Sequence, residues 1–242
     1  VGSTEQTSVS TAADANHAAV TAPAPAISTV VEESAKIVYS INTHTPQYSA
    51  YDGSSNSFLE QTPTTAGAIN HRFIVDRASS LRDEHVAGYV TYSAANSSVL
   101  YVLKWDGTQW TNEWNYTVGG DGVTGRRFDI DYQNTGHHVM VVYSTNVSGQ
   151  FAYRMFGGTV WTAEKTFTMS RLTNVIVSLR LVAMPEAAGN GFAVAALDSG
   201  GRLSTMIWDA VTETWGKEHT SALSTNVYRS SNAGDVPAFD LA

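Results

Sequence analysis

Asp129 and Asp131 stand two residues apart in the run "RRFDIDY", residues 126–132. Positions two apart on an extended strand project to one face, so the two carboxylates are predicted to lie side by side. Paired carboxylates suit general acid–base chemistry, above all glycoside hydrolysis, which needs them across one cleft. The other use of such residues is structural. Asp76 and Arg180 occupy the place of Asp131 in neighbouring segments, and the four residues Asp76, Asp129, Asp131 and Arg180 would form a polar ring or ion pairs around a hub. We expect the structural use, because ion networks also gather carboxylates. His137-His138 has the residue type of a metal ligand without the spacing. Adjacent strand residues face opposite sides, and the preceding "NTG" marks an exposed turn. Arg126-Arg127 could hold a carboxylate or phosphate, but the position of Arg127, like that of Arg72, predicts a cap at the start of a strand. The chain has no nucleophile elbow, phosphate loop, zinc motif or dinucleotide fingerprint. No catalytic residue, cofactor or metal site is therefore expected.

The strands that would carry these residues come as repeated hairpins. In "YVLKWDGTQWTNEW", residues 101–114, Tyr101, Leu103 and Trp105 alternate with Val102 and Lys104 until Asp106-Gly107 reverses the chain. The figure recurs in "YSAYDGSSNSFLEQ", "YRMFGGTVWTAEK" and "STMIWDAVTETWGKE". The first aromatics, Tyr51, Trp105, Phe156 and Trp208, are 54, 51 and 52 residues apart (105−51, 156−105, 208−156). The second, Phe58, Trp110, Trp161 and Trp215, are 52, 51 and 54 apart (110−58, 161−110, 215−161). A strand precedes each hairpin: "IVYS" at 37–40, "VTYS" at 90–93, "VVYS" at 141–144 and "AVAAL" at 193–197. Earlier still stand "RFIVD" at 72–76, "RFDID" at 127–131 and "VSLR" at 177–180. "PAFDLA" at 237–242 and, more loosely, "PAISTV" at 25–30 resemble that element.

Each copy holds about four strand candidates, for example Phe128–Tyr132, Val139–Ser144, Phe151–Phe156 and Trp161–Met169. No segment sustains a helical apolar period. A four-stranded meander repeated at this length is a propeller blade. The predicted fold is all-β and β-propeller-like, with four repeats of about four antiparallel strands, preceded by an extended N-terminal arm. The repeats run over about 25–66, 67–122, 123–172 and 173–236, with the start of a fifth at 237–242; the arm is 1–24. The eight aromatics are expected to pack beside their turns, where large flat side chains bury much area.

The repeated Phe-Asp strand, the "VVYS" strand and the "WDGTQW" hairpin resemble the β-propeller-type repeats of secreted bacterial and archaeal proteins, over about residues 25–242. The hairpins are also faintly similar to the Asp-box blades of sialidases. They depart from them where Asp106-Gly107 and Asp52-Gly53 are adjacent, since an Asp-box has a residue between, and no Arg-Ile-Pro motif precedes a first strand. The resemblance implies a fold rather than an activity, because propellers host many functions.

With 242 residues, 43% of them hydrophobic, the chain can bury a sizeable core. A net charge of −8 disfavours nucleic acid and anionic membranes as partners. The absence of cysteine excludes disulfides and thiolate metal sites. No apolar run approaches the length of a membrane span. Neither an initiator Met nor a signal peptide begins the sequence, which predicts a start set by processing or by a chosen boundary. Few lysines and abundant Ser, Thr and Asn suit an extracellular or cell-surface location. Asn96, Asn115 and Asn146 stand in glycan-acceptor triplets of a kind that chance also supplies. Residues 1–24 lack aromatics and read as a linker or arm, in which "TSVST" and "AAVTA" could pair with an open sheet edge.

These features favour a non-enzymatic extracellular structural or adhesive module. Its partners would be other protein subunits of a surface appendage or filament, met through the arm or the C-terminal strand. The alternative is a lectin-like propeller with glycans as partners, and a third reading is a glycoside hydrolase.

Overall fold

The computed structural model describes residues 36–39, 47–52, 55–61, 71–78, 85–92, 98–105, 110–118, 125–133, 138–184 and 191–220. The arm at 1–24, the strand expected at 237–242 and His137 lie outside the described residues. So do the side chains of Tyr51, Phe58, Asp76 and Trp110.

Among the described residues there is no helix, and the strands form four antiparallel sheets. Sheet 1 joins β1 (Lys36–Tyr39), β2 (Gln47–Asp52) and β3 (Ser57–Gln61). Sheet 2 joins β4 (His71–Ala78), β5 (His85–Tyr92), β6 (Ser98–Trp105) and β7 (Trp110–Thr117). Sheet 3 holds β8 (Phe128–Tyr132), β9 (Val139–Ser144), β10 (Gln150–Phe156) and β11 (Lys165–Thr168). Sheet 4 holds β12 (Ile176–Ala183), β13 (Phe192–Asp198), β14 (Leu203–Asp209) and β15 (Thr214–Thr220). Every sheet is a simple meander. The first strands of successive sheets are neighbours, with β4 against β1, β8 against β4 and β12 against β8.

The aromatic pairs sit directly opposite each other where the third strand turns into the fourth. Tyr51 pairs with Phe58, Trp105 with Trp110 and Trp208 with Trp215. Phe156 faces Trp161 through an isolated bridge. Across a ladder such partners share one face, so Trp208 and Trp215 lie on the same side of their hairpin. Trp105, Phe156, Trp208 and Trp215 are buried, whereas Trp161 is half-buried.

The strand expected over Trp161–Met169 is shorter in the structure. Thr162 closes the hairpin by itself, its N–H donating to Met155 O at 2.8 Å and its hydroxyl accepting the Met155 N–H at 3.0 Å. Its successors Ala163 and Glu164 are exposed, and the ladder resumes only at Lys165.

Sheet 3 has core on both sides. Every residue of β9 is buried, so the usual polar-out alternation of a one-sided sheet is absent. Val139, Val141 and Tyr143 pack with Leu100, Val102 and Val118 of the sheet 2 segment. Met140 and Val142, on the opposite face, pack with Leu179, Val194 and Met206 of sheet 4. Backbone fit matters as well. Gly149 has φ 65°, and a Cβ there would lie 2.5 Å from Leu172 O, so the turn from β9 to β10 requires glycine.

Candidate functional site

The two aspartates sit in a crowded setting. Asp129 is 1% exposed; its Oδ1 accepts the Ile130 N–H at 2.9 Å and pairs with Arg126. Its Oδ2 accepts the Leu181 N–H, 2.8 Å away and 52 residues along the chain. Asp131 repeats the arrangement, accepting Tyr132 N–H at 3.0 Å and Ala183 N–H at 2.7 Å. Both carboxylates thus replace backbone carbonyls as acceptors for β12, and each oxygen has a donor. Leu181 and Ala183, rather than Arg180, stand opposite them. Arg180 is buried and donates from Nη1 to Leu179 O at 2.9 Å.

Arg127 donates from Nη1 to Val118 O at 3.3 Å, and burial draws its guanidinium pKa downward. His138 meets Gln133 Oε1 through Nδ1 at 3.1 Å. Among the described residues no group of three or more His, Asp or Glu could hold a metal ion.

A different set of polar residues meets at the seam between sheets 2 and 3. On β10, Ala152, Arg154 and Phe156 alternate toward sheet 2. The Arg154 guanidinium lies 4.9 Å from the centre of the Trp114 ring, on β7. Its Nε is buried with no hydrogen-bond partner, an uncommon and costly state for a buried donor. Tyr143, from β9, packs against Tyr116 at 4.7 Å and Trp114 at 5.4 Å. Its hydroxyl donates to Glu164 Oε2 at 2.6 Å. Burial and then this bond push the Tyr143 pKa far above its ordinary range, with the Arg154 guanidinium pulling the other way. Burial, and then the charge of Glu164, also raise Tyr116. Trp161 completes the group, edge-on to Trp114 at 5.6 Å.

Trp114, Tyr116, Arg154 and Trp161 are half-buried and Glu164 is exposed, so solvent reaches the group. It offers a donor fork, a carboxylate acceptor and aromatic surface. A polyhydroxylated ring needs these three things: hydroxyls can bond between guanidinium and carboxylate, and a C–H face can rest on an indole.

The seam between sheets 3 and 4 is built otherwise. Two residues before each first aromatic stand Leu103, Arg154 and Met206, so the guanidinium occurs only in sheet 3 of the three. Ala196 faces sheet 3 as Tyr143 faces sheet 2. Trp215 is wedged edge-on between Phe151 at 5.1 Å and Tyr153 at 5.6 Å. Glu218 accepts the Ser170 N–H at 3.0 Å and hydroxyl at 2.7 Å, the Arg171 N–H at 3.0 Å and the Ser204 hydroxyl at 3.1 Å.

Trp114, Tyr143, Arg154 and Glu164 do not stand out as site residues in the sequence. One signal was present: Trp110, Trp161 and Trp215 are each followed three residues later by glutamate, namely Glu113, Glu164 and Glu218.

No protein-family model matches the sequence, and no curated protein does. Solved structures do match. One is the Aleuria aurantia lectin in complex with Fucα1-6GlcNAc, with TM-score 0.52 and 12% identity over 78% of this chain and 58% of that one. Another structure of that fungal lectin, described as a six-bladed β-propeller with a novel fucose recognition mode, gives TM-score 0.51 and 12% identity over 76% and 56%. A third is AofleA from Arthrobotrys oligospora, with TM-score 0.51 and 11% identity over 86% and 57%. The chain spans less than two thirds of the length of these structures. At such identity the likeness concerns the fold, which is a β-propeller-type array of antiparallel sheets. The bacterial or archaeal kind and the Asp-box likeness find no support in these structures.

Proposed function

We propose that the chain is a non-enzymatic, carbohydrate-binding β-propeller module that works outside the cell. On this reading the four sheets are successive blades, and the glycan rests in the seam between the second and third. The observation that carries it is the half-buried Arg154, over Trp114 and beside the Tyr143–Glu164 bond, with a buried Nε that lacks a partner. A sugar hydroxyl or an accompanying water entering the seam would meet both a donor and an acceptor. The fold likeness to lectins supports the same reading as an analogy, and fucosyl glycans head the panel to be tried because the matched lectins are described with fucose.

The structural-subunit reading, the first expectation from sequence, has no observation behind it among the described residues or the matched structures. The hydrolase reading asks for two carboxylates free to exchange protons, and Asp129 and Asp131 are engaged by backbone amides.

The test is a glycan array probed with the labelled full chain, followed by calorimetry on the glycans retained. The wild type should bind a neutral glycan, and Arg154→Ala should lose that binding while keeping its β-sheet circular dichroism. An array with no retained glycan, or undiminished binding by the folded variant, would overturn the assignment of this seam.

A further inference from the structure

Glu113 belongs to β7 but reaches across the seam. Its Oε2 accepts the indole N–H of Trp161 at 3.0 Å, and its Oε1 accepts the Thr111 hydroxyl at 2.8 Å. Both oxygens are thereby engaged from two sides of the boundary between sheets 2 and 3.

Glu113 gives the Trp161 indole N–H its hydrogen-bond acceptor, while Thr162 holds the neighbouring backbone to Met155. The Trp161 backbone makes an isolated bridge outside any strand, and residues 162–166 are exposed. The ring leans on Phe156 at 5.4 Å and meets Trp114 edge-on at 5.6 Å with an interplanar angle of 82°. Trp114 is in turn the ring beneath the Arg154 guanidinium. A continuous line of contacts therefore runs from Glu113 through Trp161 and Trp114 to Arg154. At the next seam the pattern is not repeated: Glu164 accepts the Tyr143 hydroxyl, Trp215 is buried between Phe151 and Tyr153 with no carboxylate on its indole N–H, and Glu218 turns to the Ser170–Arg171 loop. Glutamates at one repeat position thus have different tasks.

We propose that Glu113 is a positioning residue of the seam: it fixes the Trp161 indole across the sheet boundary and, through it, the Trp114 ring beneath the Arg154 guanidinium that would meet a sugar. The affinity part of this inference rests on the carbohydrate reading, and the positioning part does not. A hydrogen bond to a charged acceptor is worth about 1.5–3 kcal/mol, so its loss frees an otherwise half-exposed ring by about tenfold or more.

The experiment uses the full chain, ¹⁵N-labelled, as wild type, Glu113→Ala, Glu113→Gln and Trp161→Phe. The Trp161 indole N–H signal is assigned by its disappearance in Trp161→Phe. Its exchange with D₂O should be about tenfold faster in Glu113→Ala than in the wild type, and slow again in Glu113→Gln, whose amide oxygen can still accept. For the best neutral glycan on the array, Glu113→Ala should weaken binding several-fold and Glu113→Gln should recover most of it. Once Trp161 is phenylalanine, Glu113→Ala should weaken binding no further, as coupled residues require. Unchanged indole exchange in Glu113→Ala overturns the proposal, as does an equal affinity loss in both backgrounds. If the wild type retains no glycan, the carbohydrate reading fails, and the exchange rate alone decides whether Glu113 positions Trp161.

Discussion

Arg154 and Asp129 show how one repeat can use charge in two ways. Asp129 is buried and saturated: removing its carboxylate takes the side-chain acceptor from the Ile130 and Leu181 amides and the counter-charge from Arg126. Asp129→Ala should therefore lower stability by about 2–4 kcal/mol, since each buried group left without its partner costs about 1–3 kcal/mol. Urea unfolding of the variant against wild type measures this, and a difference below about 1 kcal/mol would mean that the carboxylate does not hold β12. Arg154 is only half-buried, and its planar fork already lies along a ring face. Arg154→Lys keeps the charge but loses the stacking and the paired donors. Glycan affinity should fall by about tenfold in Arg154→Lys, with a larger loss in Arg154→Ala, as calorimetry would read.

Among the elements, the joints between sheets are side-chain joints as much as core. β8 and β12 are tied by the two aspartates and by the Leu179 N–H bonded to Arg126 O at 2.9 Å. Near the outer strand β15, Glu218 ties the Ser170–Arg171 loop to sheet 4. Desolvation raises its pKa, but the bonds from Ser170, Arg171 and Ser204 outweigh that and leave it below the ordinary carboxylate value. The sign of the pH effect follows. A carboxylate whose folded pKa is depressed contributes stability above its unfolded pKa, and the contribution disappears as pH falls through the folded value. Glu218→Gln should thus melt below the wild type at neutral pH, and the gap should close on acidification below the ordinary carboxylate range. A melting gap that stays constant over that range would show that the charge of Glu218 contributes nothing.

At the scale of the whole molecule, ligand binding and folding are linked. A glycan that binds only the folded chain stabilises it by about 2.7 kcal/mol at a free concentration one hundred times its Kd. The melting midpoint should rise with glycan concentration in the wild type and stay flat in Arg154→Ala, and a rise in the variant would move the site elsewhere. The net charge of −8 adds a simple control, since duplex DNA should produce no shift at moderate salt.

Much of the architecture is legible in residue pattern alone. The recurrence of Trp105 with Trp110, Phe156 with Trp161 and Trp208 with Trp215 marks hairpins whose aromatics do face each other, because turn chemistry and strand alternation are local and repeat with the chain. The Phe-Asp strand marks β8, but not the partners of its carboxylates, since Leu181 and Ala183 lie 52 residues away. The seam group was invisible for the same reason. Trp114, Tyr143, Arg154 and Glu164 come from separate strands and a loop, and none forms a motif with its sequence neighbours. Sequence by itself determined that the chain forms repeated antiparallel sheets, through short-range spacing of apolar, aromatic and turn residues. Which charged groups are saturated and which leave a buried donor without a partner was decided only when the sheets packed face to face, because that packing sets burial and brings distant partners within hydrogen-bond reach.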